Sequence, residues 1–251
     1  CWVSSLNPTY PNRQRVTYVE ARSKPNMHMA IVWVIDPKKI GCFNFRHFRH
    51  FKLMLLSIVA LKVKMGLLKK VVFLDRDGTI NRDFPGYIKS REEFEFLPGS
   101  LEAIKALTVN GFTIIVITNQ SALPRQLISR DELEYIHSMM LQSVRSNGGE
   151  IKDIFFCPHM PDDDCDCRKP APGLILEAQR KHSIDLADAV MVGDSYRDIG
   201  CGINAGCGKT VLVKTGIHAN TAERLAEKGI VPDYVAEDLY KAAQWIISYY
   251  S

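Results

Sequence analysis

Two carboxylates, Asp75 and Asp77, stand two residues apart where the apolar run Val71-Val72-Phe73-Leu74 ends and just before Gly78-Thr79. Alternate residues of a strand or its direct extension point the same way, so both can face one pocket while Gly78 lets the chain turn. A carboxylate placed to attack phosphorus, beside a second placed to pass protons, would split hydrolysis of a phosphate ester into two easier steps. The transferring phosphoryl group is anionic. A lysine, a hydroxyl and a bound Mg²⁺ must therefore screen its charge before another anion can approach. Lys169, Thr118 and a metal site at Asp75 and Asp194 meet those needs.

The rest of the chain has to bring these residues together. Short, continuous, β-branched runs occur at 71–74, 112–117, 154–156, 189–192 and 210–213, as expected of parallel strands buried on both faces. Segments with helical spacing lie between them: 100–109 after Pro98-Gly99, 129–146 with Asp131-Glu132 in its first turn, 172–182, and 198–205. The tail adds a weak strand near Tyr234-Val235 and an amphipathic helix over 236–249. This alternation predicts an α/β fold with a doubly wound, mainly parallel sheet. Such sheets bind ligands beyond the carboxyl ends of their strands. Those ends carry Asp75 and Asp77, then Thr118-Asn119-Gln120-Ser121, then Arg168-Lys169, then Gly193-Asp194-Ser195.

Asp75-x-Asp77-Gly78-Thr79, Thr118, Lys169 and Gly193-Asp194-x-x-x-Asp198 resemble, in order, the four motifs of the haloacid dehalogenase superfamily. The resemblance implies a Rossmann-like core with Asp75 as nucleophile and Asp77 as general acid/base. It further implies that Thr118 and Lys169 bind the phosphoryl group, and that Asp194 ligates Mg²⁺ with Asp75 and the main-chain carbonyl of Asp77. Each motif alone has a plainer reading. An isolated D-x-D-G-T string can be a turn, and Asp198 can simply cap the helix that follows it.

Three thiols and one imidazole fall within residues 157–167, as Cys157, His159, Cys165 and Cys167. They match a closed tetrahedral Zn²⁺ site with no ligand position left for water, hence a structural one. Disulfide pairing is the competing reading, but Cys165 and Cys167 are too near in sequence to pair easily. Cys201 and Cys207 read as small buried residues. Zinc would fold a loop and hold Arg168 and Lys169 over the phosphate pocket.

This loop with Arg168-Lys169-Pro170-x-Pro172-Gly173 is similar to that of the D-glycero-D-manno-heptose 1,7-bisphosphate phosphatases. So are Ile80-Asn81, Gly86-Tyr87, Glu93-Phe94-Glu95-Phe96-x-Pro98-Gly99 and Thr118-Asn119-Gln120-Ser121. The similarity runs over about 67–216. It implies removal of the C7 phosphate, leaving heptose 1-phosphate for the nucleotide-activated heptose of lipopolysaccharide. Substrate contacts are implied for Arg168, Lys169, the loop Asp83 to Gly86, and Thr118, Asn119, Gln120 and Ser121. Where relatives continue with Gly and a small residue, this chain has Ala122-Leu123-Pro124-Arg125, and Ser195 stands where many carry Lys. The intervals after Thr79 and after Ser121 are too short for a cap domain. Histidinol-phosphate phosphatase is the alternative within the same chemistry. A zinc-stabilised binding module without catalysis is the alternative of another class.

The chain has 251 residues and a formal charge of +4. Residues 1–66 hold eleven Lys/Arg against Glu20 and Asp36, a net of +9, so the remainder carries −5 and shows no nucleic-acid footprint. The apolar run 53–61 is too short to span a bilayer. Residues 1–64 are expected to be a non-native or disordered leader, upstream sequence read into the frame, with the phosphatase domain over 65–251; a targeting segment is the other reading. The body is expected to be a cytoplasmic monomer acting on a small phosphorylated sugar, with no nucleic-acid or membrane partner.

Overall fold

The computed structural model describes residues 70–217 and 221–251. The expectations for the basic leader lie outside the described residues. In chain order the main elements are β1 (Val71–Leu74), α1 (Ser100–Val109), β2 (Thr113–Asn119), α2 (Arg130–Ser146), β3 (Asp153–Cys157), α3 (Gly173–His182), β4 (Ala189–Gly193), α4 (Tyr196–Ala205), β5 (Lys209–Val213), α5 (Thr221–Glu227), β6 (Tyr234–Ala236) and α6 (Leu239–Tyr250). The six strands form one sheet in the order β3-β2-β1-β4-β5-β6, and every neighbouring pair is parallel.

All four residues of β1 are fully buried, because the strand is central and covered on both faces. Val72 and Leu74 join Ile114, Val116, Val190 and Val192 on one side, under α1, α2 and α6. Val71 and Phe73 join Ile115, Ile117 and Met191 on the other, under α3 and Cys201 of α4. At roughly 1.5–3 kcal/mol for each large apolar side chain removed from water, this central strand is a firm base for whatever follows Leu74.

Helix starts follow local chemistry. Ser129 accepts from the amide of Glu132 at 3.1 Å to open α2, and Asp238 accepts from that of Lys241 at 2.7 Å to open α6, each satisfying an otherwise orphaned donor. The predicted helix at 198–205 begins two residues earlier, because Ser195 supplies its boundary and Asp198 falls inside its first turn. The tail helix begins later than expected, after the Asp238 cap. Helix α5 was not anticipated; it is one short helix of seven residues with little periodicity to read.

The chain runs from β1 outward to β2 and β3, then returns to lay β4 on the other side of β1. The strand order therefore reverses between β1 and β4, which is where an open α/β sheet forms its ligand crevice. Among the described residues, the interval between β1 and α1 holds one short 3-10 turn, Arg91–Glu93, and that between β2 and β3 holds α2, so no inserted domain covers the crevice.

Candidate active site

Asp75 leaves the end of β1 and Asp194 the end of β4, on the two strands that flank the reversal. Lys169 reaches them from the loop after β3. Its Nζ lies 2.7 Å from Asp75 Oδ1 and 2.6 Å from Asp198 Oδ1, and donates to the carbonyl of Ile117 at 2.9 Å. Three acceptors match the three donors of an ammonium. Asp75 Oδ1 also accepts from the amide of Arg76 at 2.6 Å. That oxygen therefore has two donors on it.

The carboxylates of Asp75, Asp194 and Asp198 converge, with ligand atoms all within 4.8 Å of one another. One ammonium does not balance three such charges. Burial, with Asp198 alongside, raises Asp75 from 3.8 to about 7. Burial and the other two carboxylates push Asp194 well above its ordinary value. Burial also works against the ionised forms of Asp198 and Lys169, but their mutual attraction outweighs it, so Asp198 is shifted down and Lys169 up. The orphan is Asp194, whose Oδ2 is buried without a hydrogen-bond partner. A divalent cation fits this donor set and charge, with Asp75 and Asp194 as its carboxylates.

Asp198 is shared between the start of α4 and Lys169. Its Oδ2 accepts from the amide and hydroxyl of Ser195, at 3.0 and 2.6 Å, at the start of α4. Its Oδ1 faces Lys169.

Asp77 is held separately. Arg76 Nε and Nη2 donate to its two oxygens at 2.9 and 2.8 Å, Asn81 Nδ2 at 2.9 Å and Gln120 Nε2 at 3.1 Å. Gln120 Nε2 also donates to the Thr118 hydroxyl at 2.9 Å, which leaves that hydroxyl's own proton available to a ligand. The expectation that Asp75 and Asp77 share a pocket thus takes a particular form: the carboxylate of Asp77 is not one of the converging three.

Cys157, His159, Cys165 and Cys167 come together as expected. Their S···S separations run from 3.1 to 3.6 Å, and His159 Nδ1 lies 3.5 Å from Cys157 and 3.2 Å from Cys167. A tetrahedron with zinc–sulfur bonds of about 2.3 Å has edges of about 3.8 Å, so the cluster is of a size that could close around such an ion with a small expansion. All three cysteines are unbridged. Burial and the neighbouring thiols push Cys167 far up as a free thiol, a penalty that a cation removes. Cys201 and Cys207 stand outside the cage; Cys201 donates to the carbonyl of Ala171 at 3.3 Å.

Next to the cage, Arg168 Nη1 donates to Ser121 Oγ at 2.7 Å and to the carbonyl of His159 at 3.2 Å. Asn119, expected at the substrate pocket, spends its amide on the main chain of Lys169, as Gln120 spends its own on Asp77 and Thr118. The segment Asp83 to Gly86 is largely exposed. Its continuation is tied to α2 by Arg91, whose Nη2 lies 2.7 Å from Glu132 and whose guanidinium covers Tyr135 at 3.9 Å.

Sequence reasoning missed Arg76, His137 and Gly216. Arg76 occupies the unassigned letter between the two aspartates, yet its side chain is fully buried. His137 lies in the buried stripe of α2 and meets Arg76 Nη1 at 3.2 Å. Burial, then the nearby guanidinium, holds its pKa down to about 3, so the neutral ring is the acceptor. Gly216 lies against Asp194, where any Cβ would overlap the carboxylate.

Fold and site together define a haloacid dehalogenase-like hydrolase, and the HAD-hydrolase-like family profile matches residues 166–242. The chain is 42% identical over 179 residues to the D-glycero-beta-D-manno-heptose-1,7-bisphosphate 7-phosphatase of Bordetella bronchiseptica, covering 71% of this chain and 98% of that one. It is 41% identical to the same enzyme of Pseudomonas putida, covering 71% and 99%. The crystal structure of D,D-heptose 1,7-bisphosphate phosphatase from B. bronchiseptica, complexed with magnesium and phosphate, superposes with a TM-score of 0.66 at 41% identity, over 72% of this chain and 99% of that one. The chain belongs to the D-glycero-D-manno-heptose-1,7-bisphosphate 7-phosphatase family of phosphomonoester hydrolases.

Proposed function

We propose that this chain hydrolyses the C7 phosphate of D-glycero-D-manno-heptose 1,7-bisphosphate through an aspartyl phosphate on Asp75. The observation that carries the reading is the reach of Lys169 to Asp75 and Asp198 at the strand reversal, in a chain with full-length relatives of that name. Asp75 Oδ2 attacks phosphorus, the bond from phosphorus to the C7 oxygen breaks, and that oxygen takes a proton from Asp77. As a carboxylate, Asp77 then takes a proton from water. The water oxygen attacks phosphorus, the bond to Asp75 breaks, and inorganic phosphate leaves with Asp75 restored. The Thr118 hydroxyl donates to a phosphoryl oxygen, and Lys169 keeps attacking group and phosphoryl anion compatible. Arg168 and Ser121, with the Asp83 to Gly86 loop, recognise the sugar end.

Asp75, Asp194 and the main-chain carbonyl of Asp77 would hold Mg²⁺, which when bound screens the phosphoryl charge. Cys157, His159, Cys165 and Cys167 would hold a structural Zn²⁺. No helix among the described residues is long and apolar enough to cross a membrane. Zinc thiolates suit a reducing compartment, in keeping with a cytoplasmic step toward nucleotide-activated heptose.

The test is Mg²⁺-dependent phosphate release by the full chain on both anomers of heptose 1,7-bisphosphate and on histidinol phosphate, with Asp75→Asn as control. Preference for one heptose bisphosphate, abolished in the control, supports the reading. Preference for histidinol phosphate keeps the chemistry and replaces the substrate. No release from any of the three overturns it.

A further inference from the structure

We propose that Arg76 and His137 are a positioning pair that sets the orientation of the Asp77 carboxylate, linking helix α2 to proton transfer. The proposal rests on the reading of Asp77 as the group that passes the proton.

Arg76 grips Asp77 with two donors, Nε at 2.9 Å from Oδ1 and Nη2 at 2.8 Å from both oxygens. Such a fork fixes the plane of a carboxylate as well as its position. Asn81 and Gln120 add one donor to each oxygen, so the carboxylate is held in a single orientation. Its side chain remains 23% exposed on the side left open. The guanidinium itself is closed off from water. A buried guanidinium is costly unless its donors are paired, and an apolar side chain of similar size would serve packing at least as well. Its outer nitrogen, Nη1, reaches the acceptor His137 Nε2 at 3.2 Å.

His137 is in turn unusual for its place. Leu133, Ile136, Met140 and Val144, which share the buried face of α2, are all apolar, and a leucine would fill the position. The ring packs against Phe156 with centroids 5.9 Å apart. Its orientation is therefore set by the core. Without that acceptor Nη1 would be buried and unpaired, and the guanidinium would turn to find another partner. Because the same rigid fork holds Asp77, the turn would carry the carboxylate away from the proton it must deliver. An error of about 1 Å in such a group can cost about a hundredfold in rate.

The experiment compares His137→Leu, His137→Gln, Arg76→Met and Asp77→Asn in the full chain with Mg²⁺, on the preferred sugar phosphate and on p-nitrophenyl phosphate. A p-nitrophenolate leaving group needs little protonation, so its first-turnover release reports attack by Asp75 without help from Asp77. We expect His137→Leu and Arg76→Met to lower kcat on the sugar phosphate about tenfold or more, with KM changed less than about twofold. The p-nitrophenolate burst should change less than about threefold. His137→Gln, whose amide oxygen can accept from Arg76, should recover most of the lost kcat. Thermal unfolding of all four variants separates loss of fold from loss of position. Equal loss on both substrates, full activity in His137→Leu, or failure of glutamine to rescue would overturn the proposal. If Asp77→Asn turns over the sugar phosphate normally, the reading of Asp77 fails and the proposal with it. If Asp77→Asn is inactive while His137→Leu is unimpaired, only the positioning role fails.

Discussion

Asn119 and Lys169 clasp each other through the main chain: Asn119 Oδ1 accepts from the amide of Lys169 at 3.1 Å, and Asn119 Nδ2 donates to its carbonyl at 3.3 Å. Asn119 is the last residue of β2, so the sheet itself sets the place of Lys169. The guanidinium of Arg168, one residue earlier, is held through Nη1 by the carbonyl of His159 and the Ser121 hydroxyl. The two adjacent cations therefore depend on the Cys/His cage to different degrees.

Loss of the cage metal should accordingly affect recognition before chemistry. Cys165→Ser is expected to raise KM for the preferred substrate about tenfold, in the range seen when partners supporting a site are lost, with a smaller fall in kcat. Asn119→Ala should do the reverse, lowering kcat more than it raises KM. Steady-state kinetics on the two variants, with zinc content measured by atomic spectroscopy, check this; a purely kcat defect in Cys165→Ser would contradict it.

Lys169→Met leaves Asp75 and Asp198 facing each other in a buried site. Removing one partner of a buried ion pair costs about 3–5 kcal/mol, and the metal-free variant should unfold at correspondingly lower denaturant with no detectable turnover. Urea unfolding with and without Mg²⁺ tests both parts: the cation should return some of the lost stability without returning activity.

The metal-free protein should lose stability as pH rises from about 4 to 7. The folded carboxyl of Asp75 titrates near 7 rather than 3.8, so in that window the folded state holds a proton that the unfolded state has released. Stability then falls with rising pH. His137, neutral in the fold down to about 3, acts the opposite way below about 6.5, and it is Asp194, also raised, that adds to Asp75 and tips the balance toward lower stability at higher pH. Asp198 is lowered, and its contribution is lost only in acid below the window. Melting temperatures at pH 5 and 7.5 should differ in this sense in Mg²⁺-free buffer and converge with saturating Mg²⁺, because the cation replaces the proton. A metal-free protein more stable at pH 7.5 than at pH 5 would contradict the argument.

Strands β1 to β5 and most of the site were legible in the sequence for one reason. A parallel strand buried on both faces writes a continuous β-branched run, and its functional residues stand just past the end of that run. Asp75 and Asp194 are of this kind and Thr118 lies at the end of its run, whereas Lys169, twelve residues past β3, was legible only from the order of the motifs. The Cys/His cluster was legible because its four members lie within residues 157–167. What escaped had no local signal. His137 is polar on an apolar helical stripe, which most often marks a satisfied core residue. Its meaning comes from Arg76, 61 residues away. Asn119 and Gln120 were legible as pocket residues but not as braces, since side-chain direction at a strand end depends on what the neighbouring loop offers.

Gly216 illustrates such hidden dependence and gives a last prediction. It follows β5, far in sequence from Asp194, yet a Cβ there would fall within the carboxylate of Asp194. Gly78, beyond β1, closes the opposite side: its Cβ would meet Asp194 Cγ at 2.8 Å, and its φ of +82° favours glycine in any case. Between them, and tied by the Thr215 hydroxyl donating to the carbonyl of Gly78 at 2.6 Å, the two glycines form a slot in which Asp194 is held with one oxygen unpaired. Gly216→Ala should displace that carboxylate, and the Mg²⁺ concentration giving half-maximal activity should rise by about tenfold or more. Ile217→Ala, one residue on at an exposed position, should leave the Mg²⁺ dependence unchanged. Titrating activity against Mg²⁺ for both variants decides the matter. A normal Mg²⁺ requirement in a folded Gly216→Ala variant would show that Asp194 is not the carboxylate that holds the ion.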